Sequence, residues 1–169
     1  GQKAADTRPE IEQIMFRDDR GRNEDDLERA LYICRRRIER RAREAGIPHF
    51  YICSLSQKSL IYKGMFLAED IDNFYLDLKD PRFASRFAIY HQRYSTNTFP
   101  QWSLAQPFRM LAHNGEINTV QGNLNWMKSH EIRMVSEHFG DHVDDVKPVV
   151  PQGQSDSGAL DAVFEIDRK

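Results

Sequence analysis

Residues 91–118, HQRYSTNTFPQWSLAQPFRMLAHNGEIN, decide how this chain reads, because polar hydrogen-bonding residues sit there at the ends of apolar runs. Residues 87–95, FAIYHQRYS, read as a strand running into polar residues, and 108–113, FRMLAH, as a second strand that stops at Asn114-Gly115. In a simple antiparallel hairpin the two polar ends would lie at opposite rims of the sheet. If both serve one site, the strands are parallel or belong to different sheets. The connection from Thr96 to Pro107 spans roughly 40 Å at about 3.3 Å per residue, enough for a crossover.

Outward from this stretch, residues 50–56 (FYICSLS) and 59–64 (SLIYKG) read as a hairpin around Gln57-Lys58, and 66–78 (FLAEDIDNFYLDL) as a short acidic helix. Leu27, Leu31, Cys34, Ile38 and Ala42 recur at helical spacing, with Asn23 as the cap, Asp25 and Asp26 near the positive helix end, and Gly46-Ile-Pro48 as the stop. The opposite face carries Arg35, Arg36, Arg37, Arg40, Arg41 and Arg43, interleaved with Glu28, Glu39 and Glu44, and reads as a solvated face. Downstream, Asn118 with Gln121 has the form of a capping arrangement for a helix carrying Val120, Leu124, Met127 and Ile132 inward. Residues 138–154 form a polar, Pro-rich loop. A last helix follows, with Leu160, Val163 and Phe164 as its apolar face.

A chain of 169 residues with 40% hydrophobic residues and a formal charge of −2 is in the range of one ordinary domain or a piece of one. That charge offers no bulk attraction to nucleic acid or to an anionic membrane, and the apolar runs fall well short of the roughly 20 residues a span needs. No charged-then-apolar leader opens the sequence, so the expectation is a cytoplasmic protein with neither a nucleic-acid nor a membrane partner. Cys34 and Cys53 have no zinc-like spacing and read as small core residues with free thiols, as in a reducing compartment.

Arg93 is a planar, permanent cation suited to bidentate capture of a carboxylate, with the hydroxyls of Ser95 and Thr96 just beyond it. Asn114-Gly115 supplies a side-chain amide and an unhindered backbone N–H, a pair able to hold a developing oxyanion. The dipeptide is also an ordinary turn, but residues 116–119 run into a helix start and not into a returning strand. Asp156, just before the last helix, is placed either for the helix dipole or to bind an ammonium group. Arg93 and Asp156 together would bracket an α-amino acid. No nucleophile accompanies them, because neither cysteine adjoins a positioned base.

With these residues in view, residues 91–100 (HQRYSTNTFP), 111–119 (LAHNGEINT) and 154–157 (QSDS) resemble the amidotransferase domain of the glutamate synthase large subunit, a class II glutamine amidotransferase. The shorter Arg-x-x-Thr, His-Asn-Gly and Ser/Thr-Asp patterns recur across the class. Another member, such as amidophosphoribosyltransferase or asparagine synthetase, or a truncated chain that binds glutamine or a partner without turnover, shares them. The resemblance implies an α+β fold, the four-layer αββα sandwich of the amino-terminal-nucleophile hydrolase type. It implies that Arg93 and Thr96 bind the glutamine carboxylate, Asn114 and Gly115 form the oxyanion hole, and Asp156 binds the α-amine.

For the whole enzyme the resemblance implies FMN and a 3Fe-4S cluster and 2-oxoglutarate as ammonia acceptor, with electrons from NADPH through a flavin-containing (FAD) small subunit as in the bacterial type, or from ferredoxin or a fused NADH module as in others. None of these cofactors is expected within residues 1–169, whose partners are L-glutamine and the remaining domains of the same polypeptide. The family nucleophile is a cysteine at the mature amino terminus, where this chain has Gly1. Residues 1–169 are therefore expected to be part of a single type-2 amidotransferase domain. They would lack its nucleophile segment and its carboxyl-terminal remainder, and be inactive alone.

Overall fold

The computed structural model describes residues 1–92 and 99–169, and side-chain caps fix the starts of two of its long helices, at Asn23 and Ser155. The dominant element is the 21-residue helix α2 (Glu24–Glu44), which follows a five-residue helix α1 (Gln2–Asp6). The Asn23 side chain accepts the Asp26 N–H at 2.8 Å, and Glu24, Asp25 and Asp26 occupy the positive first turn. At the other end Gly46 takes φ +71°, and Ile47 and Gly46 donate to the carbonyls of Ala42 and Arg43 at 2.9 and 3.0 Å. That is a Schellman stop, and it needs the left-handed conformation a glycine adopts without strain.

The acidic segment forms a broken helix: single 3-10 turns at Ala68–Asp70 and Leu76–Lys79 flank the one-turn helix α3 (Ile71–Phe74). Helix α4 (Val120–Glu131) starts from Thr119 at φ +62°, with no side-chain cap. The capping arrangement expected from Asn118 and Gln121 is therefore not formed, and Ile132, expected inward, is exposed. A 3-10 segment (Gly140–Val146) then leads to α5 (Asp156–Asp167), capped by the Ser155 hydroxyl, which accepts the Gly158 N–H at 3.1 Å. No helix among the described residues is long and apolar enough to cross a membrane.

Two apolar centres hold these pieces. Tyr32, Phe139 and Val146 form one, with Ile33, Met134, Val143 and Ile166 packed against it. Phe66, Phe74, Tyr75 and Trp102 form the other, with ring centroids 5.0–6.2 Å apart. Trp102 Nε1 donates to the Ala4 carbonyl at 3.1 Å, tying α1 to the aromatic cluster.

The expected strands are not formed among the described residues, so the sandwich layers are not present there. Residues 50–56 and 59–64 do fold back on each other, but serine hydroxyls take amides that a facing strand would otherwise claim. Ser54 Oγ accepts the Ile61 N–H at 3.3 Å, and Ser56 Oγ accepts those of Lys58 and Ser59 at 2.9 and 3.3 Å. At 108–113 a buried carboxylate on α5 plays the same part. In the segment before residue 93, Phe87 and Tyr90 are 76% and 81% exposed, so no apolar face is buried to fix a strand register.

Helix orientation also departs from the expectation. The arginine face of α2 is not wholly solvated: Arg35 and Arg36 are buried, while Cys34 and Ile38 are exposed. On α5 the buried residues include Ser157, Asp161 and Glu165, and Phe164 faces outward. The two polar faces meet. Arg35 donates to Glu39 at 2.9 Å and to Glu165 at 2.6 Å, Arg109 reaches Glu39 at 3.3 Å, and the Arg35 guanidinium lies 5.3 Å from the centre of the Tyr32 ring. Glu165 and Glu39 hold Arg35 more firmly charged than usual although burial opposes it. Arg36 is pushed down by burial, and donates to the carbonyls of Val146 and Pro148.

Candidate active site

Four hydrogen bonds hold the loop after residue 112, two from the Gln106 side chain and two from the first turn of α5. The His113 N–H donates to Gln106 Oε1 at 2.7 Å, and its carbonyl accepts from Gln106 Nε2 at 2.9 Å. His113 Nδ1 lies 2.9 Å from Ser157 Oγ, and the Ile117 N–H donates to Asp156 Oδ2 at 2.9 Å. Asn114 and Gly115 lie between these anchors, exposed to solvent. A Cβ on Gly115 would stand 3.2–3.3 Å from the His113 ring, so the ring lies close against the glycine.

Asp156 is half-buried at the first position of α5, where the helix dipole favours an anion. Its Oδ1 accepts the Ser157 N–H at 2.6 Å and its Oδ2 the Ile117 N–H. A carboxylate offers about four acceptor positions, so capacity remains for an ammonium. Asn114 makes no hydrogen bond among the described residues. An exposed amide, a neighbouring unhindered N–H and an adjacent carboxylate can together bind a polar group that becomes anionic beside one that is cationic.

The structure thus brings the loop carrying Asn114-Gly115 to the start of α5, where the Ile117 N–H bonds Asp156, although the two segments are far apart in sequence. Arg93 and Thr96 lie outside the described residues. Sequence reasoning missed Gln106, Ser157 and Asp161, which support the loop. The available signal was Asp161 itself, an acid inside an otherwise apolar helical run, Ala159-Leu-Asp-Ala-Val163.

Cys53 is not an activated thiol. Burial pushes the Cys53 thiol up, the wrong direction for a nucleophile, and Cys34 is exposed on α2. Among the described residues no group of three or more His, Cys, Asp and Glu side chains could hold a metal ion. A cavity of about 590 Å³ opens beside the site, between α2 and α5, without Asn114, Gly115 or Asp156 in its lining. Lys63 lies in that lining, donating to the Ser103 carbonyl at 2.7 Å, and burial lowers its ammonium to about 8.

The sequence matches the family model described as glutamine amidotransferases class-II over residues 1–167. It is 64% identical over 166 residues to the glutamate synthase (NADPH) large chain of Azospirillum brasilense, covering 98% of this chain and 11% of that protein. To the ferredoxin-dependent glutamate synthase, chloroplastic, of Oryza sativa subsp. japonica it is 48% identical over 167 residues, covering 98% of this chain and 10% of that one. To ferredoxin-dependent glutamate synthase 2 of Synechocystis it is 45% identical over 167 residues, with the same coverage. The chain spans about a tenth of the length of these relatives.

Proposed function

The chain belongs to the class II glutamine amidotransferases, and from that premise we propose that it is the glutaminase part of a glutamate synthase, hydrolysing L-glutamine to glutamate and ammonia. The ammonia is then used elsewhere in the polypeptide in the reductive amination of 2-oxoglutarate to glutamate, its two electrons coming from NADPH through a flavin-containing small subunit. The observation that supports this reading is the bond from the Ile117 N–H, two residues beyond Gly115, to the Asp156 carboxylate. Glutamine presents an α-ammonium at one end and, at the other, a carboxamide whose oxygen becomes negative on attack.

In this reading Asp156 holds the α-ammonium, while Arg93 and Thr96 take the α-carboxylate. When a nucleophile adds to the side-chain carbonyl, the carbonyl π electrons move to its oxygen. The Asn114 amide and the Gly115 N–H then stabilise that oxyanion. Collapse, with the nucleophile's proton passing to the leaving nitrogen, expels ammonia, and water then releases glutamate and restores the nucleophile. Cys34 and Cys53 do not supply the nucleophile.

The finer architecture, a four-layer αββα sandwich, is part of the same proposal, supported by the family match and by the side-by-side course of residues 50–56 and 59–64. A 3Fe-4S cluster does not fit these residues. Iron–sulfur clusters are held by cysteine thiolates, and here one of two cysteines is exposed on a helix while burial raises the other. We assign FMN and the cluster to the remaining domains, with FAD and NADPH on a flavin-containing small subunit. Identity of 64% to an NADPH-type large chain, against 48% to a ferredoxin-dependent enzyme, supports that donor. Two unpaired cysteines accord with a cytoplasmic setting.

The test is Asn114→Ala in the full-length polypeptide. Loss of one oxyanion donor lowers glutamine-dependent turnover by about 10²–10³ and leaves ammonia-dependent glutamate synthesis intact. Equal loss of both activities would make Asn114 a structural turn residue and remove this assignment.

A further inference from the structure

We propose that Asp161, acting with Gln106, is a positioning residue that sets where the oxyanion donors stand; the inference rests on the glutamine-site reading above. Asp161 is 2% exposed, and its carboxylate gathers three consecutive backbone amides. Oδ1 accepts the N–H groups of Met110 and Leu111 at 2.7 and 3.1 Å, and Oδ2 accepts that of Arg109 at 3.2 Å. A buried carboxylate is costly unless such charge-assisted bonds compensate it. The turn they fix is closed by the Phe108 N–H, which donates to the Leu111 carbonyl at 2.9 Å.

Gln106 carries this restraint across the turn. Its side chain bonds both backbone groups of His113, so the residue immediately before Asn114 is held at its N–H and its carbonyl. On the far side of Asn114-Gly115, Asp156 holds the Ile117 N–H. Asp156 and Asp161 belong to one helix. A single rigid element therefore sets the separation between the amine-binding carboxylate and the oxyanion donors, a distance that must match the length of one glutamine side chain.

The experiment is a double-mutant cycle in the full-length enzyme, measuring glutamine-dependent and ammonia-dependent glutamate synthesis for Asp161→Asn, Gln106→Leu, Asn114→Ala and the two doubles with Asn114→Ala. Asp161→Asn turns one acceptor oxygen into an NH₂ facing N–H donors, which displaces the turn without removing volume. Displacing a catalytic group by a fraction of its reach lowers the glutamine-dependent kcat by about ten- to a hundredfold, while KM for glutamine stays within about twofold because Asp156 is untouched. Ammonia-dependent synthesis is unchanged. Each double falls by less than the product of its singles, because one of the two donors being positioned is already gone and only the Gly115 N–H remains to be displaced.

Effects that multiply in the doubles, a matched fall in both activities, or a wild-type rate for Asp161→Asn overturn the proposal. Should Asp161→Asn fail to fold, Gln106→Leu decides by the same criteria. A wild-type glutamine-dependent rate for Asn114→Ala sinks the underlying site reading instead, and the two failures are thereby distinguished.

Discussion

Replacing Glu165 by methionine tests the charged junction between α2 and α5 most directly. The Arg35 and Glu165 side chains are 3% and 9% exposed and 2.6 Å apart, so solvent screens them little. Around them stand three guanidinium groups (Arg35, Arg36, Arg109) and two carboxylates (Glu39, Glu165). Glu165→Met leaves three cations facing one anion. Breaking a buried pair by removing one partner costs about 3–5 kcal/mol, and because Arg35 keeps Glu39 at 2.9 Å the lower figure of about 3 applies. For a domain of this size that lowers Tm by about 6–12 °C. Thermal and urea unfolding followed by the emission of buried Trp102 measure it. The double variant Arg35→Met/Glu165→Met removes both charges and keeps the volume, and it is expected within about 1 kcal/mol of wild type. A single-variant cost below about 1 kcal/mol, the range of exposed pairs, or a double variant as unstable as the sum of the singles, refutes the reasoning.

Other expectations follow from the pH-sensitive and tightly packed positions. The Asp145 carboxyl is held down to about 2, chiefly by its hydrogen bond from Arg37 with Arg40 adding to it, against burial. Its folded value lies below the unfolded one of about 3.9, so its stabilisation is present above pH ~4 and lost as pH falls through about 2. Acid titration of unfolding in wild type and Asp145→Asn checks this, and the variant curve is flatter across that window. Gly64→Ala sets a Cβ 2.6 Å from the Trp102 ring and closer still to Phe66. Overpacking of this kind costs about 1–3 kcal/mol, read as an earlier urea midpoint with altered Trp102 emission.

What the sequence determined by itself was what one turn of backbone can decide. Asn23, the acids after it and Gly46 act on amides and carbonyls within a few residues, so the limits of α2 were legible without knowing its neighbours. Asp156 at the start of α5 is legible for the same reason, and so is Asn114-Gly115 as an amide beside an unhindered N–H, which follows from residue type. Tertiary structure alone decided which helix face turns inward. Arg35 is buried because Glu165, distant in sequence, arrives beside it, and no periodicity of α2 encodes that partner. It also decided that residues 108–113 form a braced turn and not a strand, because Asp161 claims amides that a neighbouring strand would need. A carboxylate in sequence carries no address. Its hydrogen bonds go to whichever unpaired amides folding leaves within about 3 Å, and only the folded chain determines which those are.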